Sequence, residues 1–160
     1  MKSLPVHSKE RVVEIYNRNF DMIYRVCFAY LKNLAETEDT VSDVFVKLLK
    51  LRTAFENNNH EKAWLLRVSI NLCKDRLKSR WHKKTSIDSD IISEDNGFEI
   101  DDTLQAVMKL PSNYKDVIVL YYYEGYKTDE IANILHKPHS TIRNHLSEAR
   151  KALKGVLEDE

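Results

Sequence analysis

An all-α fold, made of two small helical domains joined by a flexible acidic linker, follows from three observations. Apolar residues recur at helical spacing through most of the 160 residues, and no β-hairpin signal or internal repeat interrupts them. Residues 1–84 hold 17 Lys/Arg against 10 Asp/Glu, and residues 109–160 hold 8 against 8. Between them, residues 85–108 hold no Lys/Arg and 7 Asp/Glu, so a charge boundary separates two apolar-periodic blocks.

The bounds exclude several classes. Apolar residues make up 42% and charged residues 31%, which rules out both a disordered tail and a membrane protein. No apolar run approaches the roughly 20 residues needed to span a bilayer, and the first residues lack an apolar signal core. Cys27 and Cys73 each sit inside an apolar-periodic stretch, as packed, reduced thiols of a cytoplasmic protein would.

Each element then has its own reason. Residues 9–34 place Val12, Ile15, Tyr16, Phe20, Ile23, Tyr24, Cys27, Phe28 and Leu31 at helical spacing. Residues 36–51 carry a stripe of Val41, Val44, Phe45 and Leu48, with Glu38, Asp39, Ser42 and Asp43 on the other side. Asn57, Asn58 and Asn59 predict a polar loop, because asparagine competes with the helical backbone for hydrogen bonds. The helix expected from about 61 to 83 would bury Trp64, Leu65, Val68 and Leu72.

At about 100° per residue, Arg67, Asn71, Lys74 and Lys78 share a sector of roughly 60° well away from that stripe. A basic row is ordinarily a solvated face. This one is one-sided, unmatched by acids four positions away, and preceded by asparagines. Basic and amide side chains together suit phosphates and base edges, and Trp81 near the same side could stack on an unpaired base.

Residues 85–101, rich in Ser, Asp and Glu with Asn96-Gly97, have linker composition. Helical spacing resumes near Asp102 with Leu104, Val107, Met108 and Leu110, opening a second domain over 102–160. There Pro111 and Ser112 open a helix and Gly125 is placed to close it. Thr128 is positioned to cap the next helix, and His136-Lys137-Pro138 ends it. Ser140 is positioned to cap a last helix with Ile142, Leu146, Ala149 and Leu153 buried.

The outer side of that last helix carries Ser140, Asn144, Ser147 and Lys151, flanked by Arg143 and Glu148, with His139 and Thr141 at its start. Two short helices broken by a sharp turn, the second presenting small hydrogen-bonding groups, are the pattern of a helix-turn-helix. His136, His139 and His145 cluster near the turn but lie on different sides and have no cysteine nearby, so no metal is expected. No nucleophilic triad, phosphate-cradling glycine loop or paired-carboxylate site is evident, so neither enzyme activity nor a cofactor is expected.

Four stretches in order, FDMIYRVCFAYL, AETEDTVSDVFVKLL, KAWLLRVSINLCKDRLKSR and LPSNYKDVIVLYYYEGYKTDEIANIL with STIRNHLSEARKAL, resemble the bacterial sigma-70 family, specifically its small extracytoplasmic-function (ECF) group. The resemblance implies a cytoplasmic sigma factor that binds core RNA polymerase, through the β′ clamp and β subunits, and promoter DNA. It assigns Glu38, Asp39, Ser42, Asp43 and Phe45 to the polymerase. It assigns Asn57, Asn58, Asn59, Arg67, Asn71, Lys74, Lys78 and Trp81 to opening the −10 element and holding its unpaired strand. His139, Ser140, Thr141, Arg143, Asn144, Ser147 and Lys151 would meet the −35 element. The linker would thread toward the polymerase active site and RNA-exit channel. An anti-sigma factor that covers the polymerase-binding faces is a further expected partner, and no membrane insertion is implied.

Two positions depart from the family pattern: His136 stands where a glycine is common, and Glu148 where a basic residue is usual. Two rivals would behave differently. A free-standing helix-turn-helix regulator would bind promoter DNA without polymerase, and a polymerase-binding regulator without DNA contacts would be indifferent to Arg67, Asn71 and Lys74.

Overall fold

The computed structural model describes residues 7–83 and 102–158, and among these every regular element is helical. The chain divides into two compact units, Met1–Ser86 and Ile87–Glu160. The expected linker, 85–101, lies outside the described residues.

In the first unit, α1 (Lys9–Leu31), α2 (Leu34–Leu49) and α3 (Asn58–Lys83) all pack against one another. Helix α1 starts where Ser8 Oγ accepts from the Arg11 N–H at 3.1 Å. It ends at Lys32, which adopts the left-handed conformation at φ 57° and donates its N–H to the Phe28 carbonyl. From Val26 to Leu31 every residue is buried, because α2 and α3 cover this end from two sides.

Tyr16, Phe20 and Tyr24, spaced by four, instead form a half-exposed ladder with ring centroids 5.3 and 5.5 Å apart. Asn33 caps α2 by accepting from the Glu36 N–H at 2.8 Å. The expected stripe Val41, Val44, Phe45 and Leu48 is buried. Neither cysteine is in a disulfide and both are buried, with Cys73 Sγ 4.0 Å from the Cys27 carbonyl oxygen.

Helix α3 differs from expectation at both its start and its buried side. Only Asn57 precedes it: its Oδ1 accepts from the His60 N–H at 2.8 Å, and Asn58 and Asn59 form the first helical turn. The cap offsets the poor helix propensity of asparagine at positions whose N–H groups have no intrahelical partner. The buried residues are Glu61, Leu65, Leu66, Ser69, Ile70 and Cys73, whereas Trp64, Val68 and Leu72 are half-exposed. Contact with both α1 and α2 turns the helix toward polar residues that find partners, such as Ser69 donating to the Leu65 carbonyl at 2.7 Å.

In the second unit, α4 (Asp102–Met108), α5 (Ser112–Ile118) and α6 (Thr128–Leu135) precede the long α7 (His139–Glu158). Helix α7 packs against the other three. Pro111 stands at the mouth of α5 as expected. The helix does not stop at Ile118 but widens into a π turn, Val119–Tyr123. Gly125 follows at φ +77°, where an added Cβ would meet nothing within 4 Å, so its glycine answers to backbone conformation alone.

The Thr128 and Ser140 caps do not form. Each lies inside its helix, Thr128 as the first residue of α6 and Ser140 as the second of α7. Lys127 holds the cap position of α6, and its N–H donates to Glu130 Oε1 at 2.8 Å. His136 ends α6 in the left-handed region at φ 57° and ψ 48°, and donates its N–H to the Ala132 carbonyl. That conformation strains a residue with a Cβ, so His136→Gly raises stability by up to about 1 kcal/mol. The change reads as a higher urea midpoint by far-UV circular dichroism.

Candidate nucleic-acid interface

Three surfaces carry the expected chemistry. On α2, Glu38, Asp39, Ser42 and Asp43 are exposed side by side. Asp43 also accepts from Arg76 of α3, Nη2 to Oδ2 at 3.1 Å, so one acid of this face is already paired. Phe45 departs from the assignment to the polymerase: it is 6% exposed and packs on Tyr16 at a centroid distance of 4.4 Å, which makes it a support for the face. Sequence reasoning missed Val46 and Leu49, each 43% exposed. Val46 lies seven residues after Asp39 and so on the same side of the helix, adding an apolar contact to an acidic surface.

The second surface runs along α3. Arg67 and Lys74 are half-buried, and Asn71 and Lys78 are exposed, all on the side opposite the buried residues Leu66, Ser69 and Cys73. The side chain of Trp81 lies outside the described residues. At the head of the row Asn58 and Asn59 are exposed in the first turn, and the preceding loop is gathered around Phe55. The Phe55 ring stacks on His7 at 5.2 Å and meets His60 edge-on at 5.4 Å and Trp64 at 5.7 Å. Burial, and then the Arg11 charge, hold the His7 pKa below its ordinary value against a smaller upward pull from Glu61.

Beneath this surface lies a polar contact between α1 and α3 that no sequence pattern announced. The Glu61 carboxylate, 2% exposed, accepts from Arg18 Nη2 at 2.9 and 3.0 Å and from Arg18 Nε at 3.3 Å. It also accepts from Asn19 Nδ2 at 2.9 Å. The bidentate fork and the buried amide fix α3 against α1, and so set where the basic row points.

The third surface is the outer side of α7. Ile142, Leu146, Ala149 and Leu153 are buried as expected, and Ser140, Arg143, Asn144, Ser147 and Lys151 are exposed. Thr141 is half-buried. His139, exposed, shares a 2.7 Å hydrogen bond between its Nε2 and Thr128 Oγ1, which ties the start of α7 to the start of α6. Lys151 Nζ lies 3.5 Å from Glu148 Oε2, so the residue that departs from the family pattern draws one cation of the row toward itself.

On another side of α7, Arg150 donates Nε–H to the Tyr122 hydroxyl at 2.9 Å and lies over the Tyr121 ring at 5.3 Å. The tyrosine hydrogen bond raises the arginine pKa further. This cluster rests on the π turn, which sequence periodicity does not disclose. Among the described residues no group of three or more His, Cys, Asp or Glu could hold a metal ion.

An acidic helix face, a basic row behind an asparagine-capped helix start and a helix-turn-helix form the layout of a transcription-initiation factor. The comparisons agree. The Sigma-70 region 2 profile matches residues 15–83, and the Sigma-70 region 4 profile matches residues 100–153. The chain is 29% identical to the ECF RNA polymerase sigma factor SigW of Bacillus subtilis, over 92% of this chain and 88% of that protein. It is 28% identical to the RNA polymerase sigma factor SigV of the same organism, over 86% and 85%.

Among solved structures it is similar in fold to the sigma factor RpoE from Bartonella quintana, crystallised with the anti-sigma factor NepR. The TM-score is 0.70 at 20% identity, covering 94% of this chain and 96% of that one. The chain belongs to the sigma-70 family of RNA polymerase sigma factors, in its ECF group. Its function is accordingly that of a sigma factor in transcription initiation.

Proposed function

We propose that this protein acts without catalytic chemistry of its own, by dividing promoter recognition among its three surfaces. The acidic and apolar face of α2, centred on Asp39 and Val46, docks on the β′ clamp of core polymerase. The row Arg67, Asn71, Lys74 and Lys78, with Asn57, Asn58 and Asn59, takes the unpaired strand of the −10 element. The outer side of α7 enters the major groove of the −35 element. Residues 1–84 and 102–160 serve as the two working domains, and 85–101 as the tether through the polymerase. No described helix is long and apolar enough to cross a membrane, and the protein acts in the cytoplasm with the polymerase. An anti-sigma factor is the natural partner of the faces left exposed in the free chain.

The observation that carries this reading is the separation of chemistry. The polymerase-facing side is acidic and apolar, whereas the DNA-facing sides are basic or small and polar. Variants of each face test it. Asp39→Lys with Val46→Asp abolishes association with core polymerase, measured by co-elution. The row variants leave co-elution intact and abolish opening of the promoter. Asn144→Ala changes preference at one base pair of the −35 element by about 1–3 kcal/mol, if its amide pairs with adenine, as read by binding selection with holoenzyme. If the α2 variant bound core polymerase as well as the unaltered protein, the face would be misassigned.

A further inference from the structure

The loop ahead of α3 is held by one side chain that no assigned role has used. Asn57 caps the helix by accepting from the His60 N–H at 2.8 Å. The His60 ring reaches back, and its Nδ1 accepts from the Glu56 N–H at 3.0 Å. In the ordinary reciprocal cap, a Glu or Gln at the third helical position returns to the N–H of the capping residue itself. Here a histidine occupies that third position and returns one residue earlier, which captures Glu56 as well as Asn57. The same ring sits edge-on against Phe55 at 5.4 Å, and Phe55 is in turn stacked on His7 at 5.2 Å. Phe55, Glu56 and Asn57 are therefore each fixed by contact with His60, immediately before the exposed Asn58 and Asn59.

We infer that His60 is a positioning residue for promoter opening: it presets the loop of residues 55–57, and with it the Asn58-Asn59 start of α3, in the conformation that receives an unpaired base. The inference rests on the reading above, in which that loop meets the −10 strand. Its physical ground is preorganisation. A loop ordered before the strand arrives does not have its ordering cost subtracted from the binding of the flipped base. His60 is itself exposed and lies outside the hydrophobic core, so its removal loosens the loop without unfolding the unit. With Nδ1 accepting, the ring proton stays on Nε2, and the bond needs an uncharged acceptor. Glutamine can supply one at the same helical position.

The test uses holoenzyme made from the full chain and core polymerase, on a promoter duplex recovered by mapping its own transcription start sites. Opening is followed by the fluorescence of 2-aminopurine in the −10 element, and core association is measured in parallel. His60→Ala lowers the extent of opening roughly 5- to 10-fold, the scale of one lost helix-cap interaction, with core association unchanged. His60→Gln restores most of it. A double variant, Asn58→Ala with Asn59→Ala, serves as the control for the DNA role of the helix start. Normal opening by His60→Ala beside a defective asparagine variant overturns the positioning role and leaves the DNA reading standing. Normal opening by the asparagine variant removes the DNA reading of this segment, and the inference with it. Glutamine failing as badly as alanine overturns the hydrogen-bond account.

Discussion

Arg18→Ala lowers the stability of the N-terminal unit by about 3–5 kcal/mol, more than Glu61→Gln does, although the two residues form one pair. The asymmetry comes from burial. Glu61 is 2% exposed, whereas the Arg18 side chain keeps 40% of its surface in water. Removing the arginine leaves a charged carboxylate in the interior with Asn19 as its remaining side-chain donor among the contacts described above. Removing the carboxylate charge instead leaves a guanidinium that can turn to solvent, and glutamine still offers an oxygen to Asn19. That loss stays nearer 1–3 kcal/mol.

Both tryptophans, Trp64 and Trp81, lie in α3, so tryptophan fluorescence in a urea titration of the full chain reports this unit selectively. Equal losses for the two variants would contradict the burial argument.

Arg67→Ala, Lys74→Ala and Lys78→Ala combined flatten the salt dependence of binding to the unpaired −10 strand. Each neutralised phosphate on a single strand contributes about 0.7 to the slope of log affinity against log salt, so three contribute about 2. The variant's deficit therefore shrinks roughly 20-fold between about 50 mM and 200 mM salt. Asn71→Ala, which removes no charge, leaves the slope alone and changes base preference instead. Fluorescence anisotropy of a labelled −10 oligonucleotide bound to holoenzyme, across a salt series, separates the two. An unchanged slope in the triple variant would mean that the row does not track phosphates.

What can be read in the sequence depends on whether the buried side of an element is a plain apolar stripe. Helix α7 shows its buried side plainly, because Ile142, Leu146, Ala149 and Leu153 form one stripe and the opposite side is polar. Helix α2 does likewise. Helix α3 differs because its buried sector is wide and takes in the polar Glu61 and Ser69, which an apolar stripe does not mark. The Arg18–Glu61 pair joins residues 43 apart, beyond any local pattern. The asparagines misled for a different reason. Composition records their reluctance to be helical, but not that Asn57 can cap the helix Asn58 and Asn59 begin.

The site residues were legible by chemistry and incompletely by geometry. Asp39, Asn71, Asn144 and Ser147 are exposed where the helical wheel put them, whereas Phe45 turned inward to pack on Tyr16. Val46 and Leu49 escaped notice because exposed apolar residues look like core residues until a fold assigns their side. His136, left-handed at the end of α6, was legible as a departure only through the resemblance, in which a glycine is common at that position.

One measurement bears most directly on this account. Core RNA polymerase is mixed with the protein and fragmented genomic DNA, and the 5′ ends of the transcripts are mapped. Two compact helical units working as a sigma factor give transcripts clustered at a small set of start sites sharing −10 and −35 sequences, absent with core enzyme alone and lost with Asp39→Lys/Val46→Asp. Transcript ends that are scattered identically with and without the protein would contradict it.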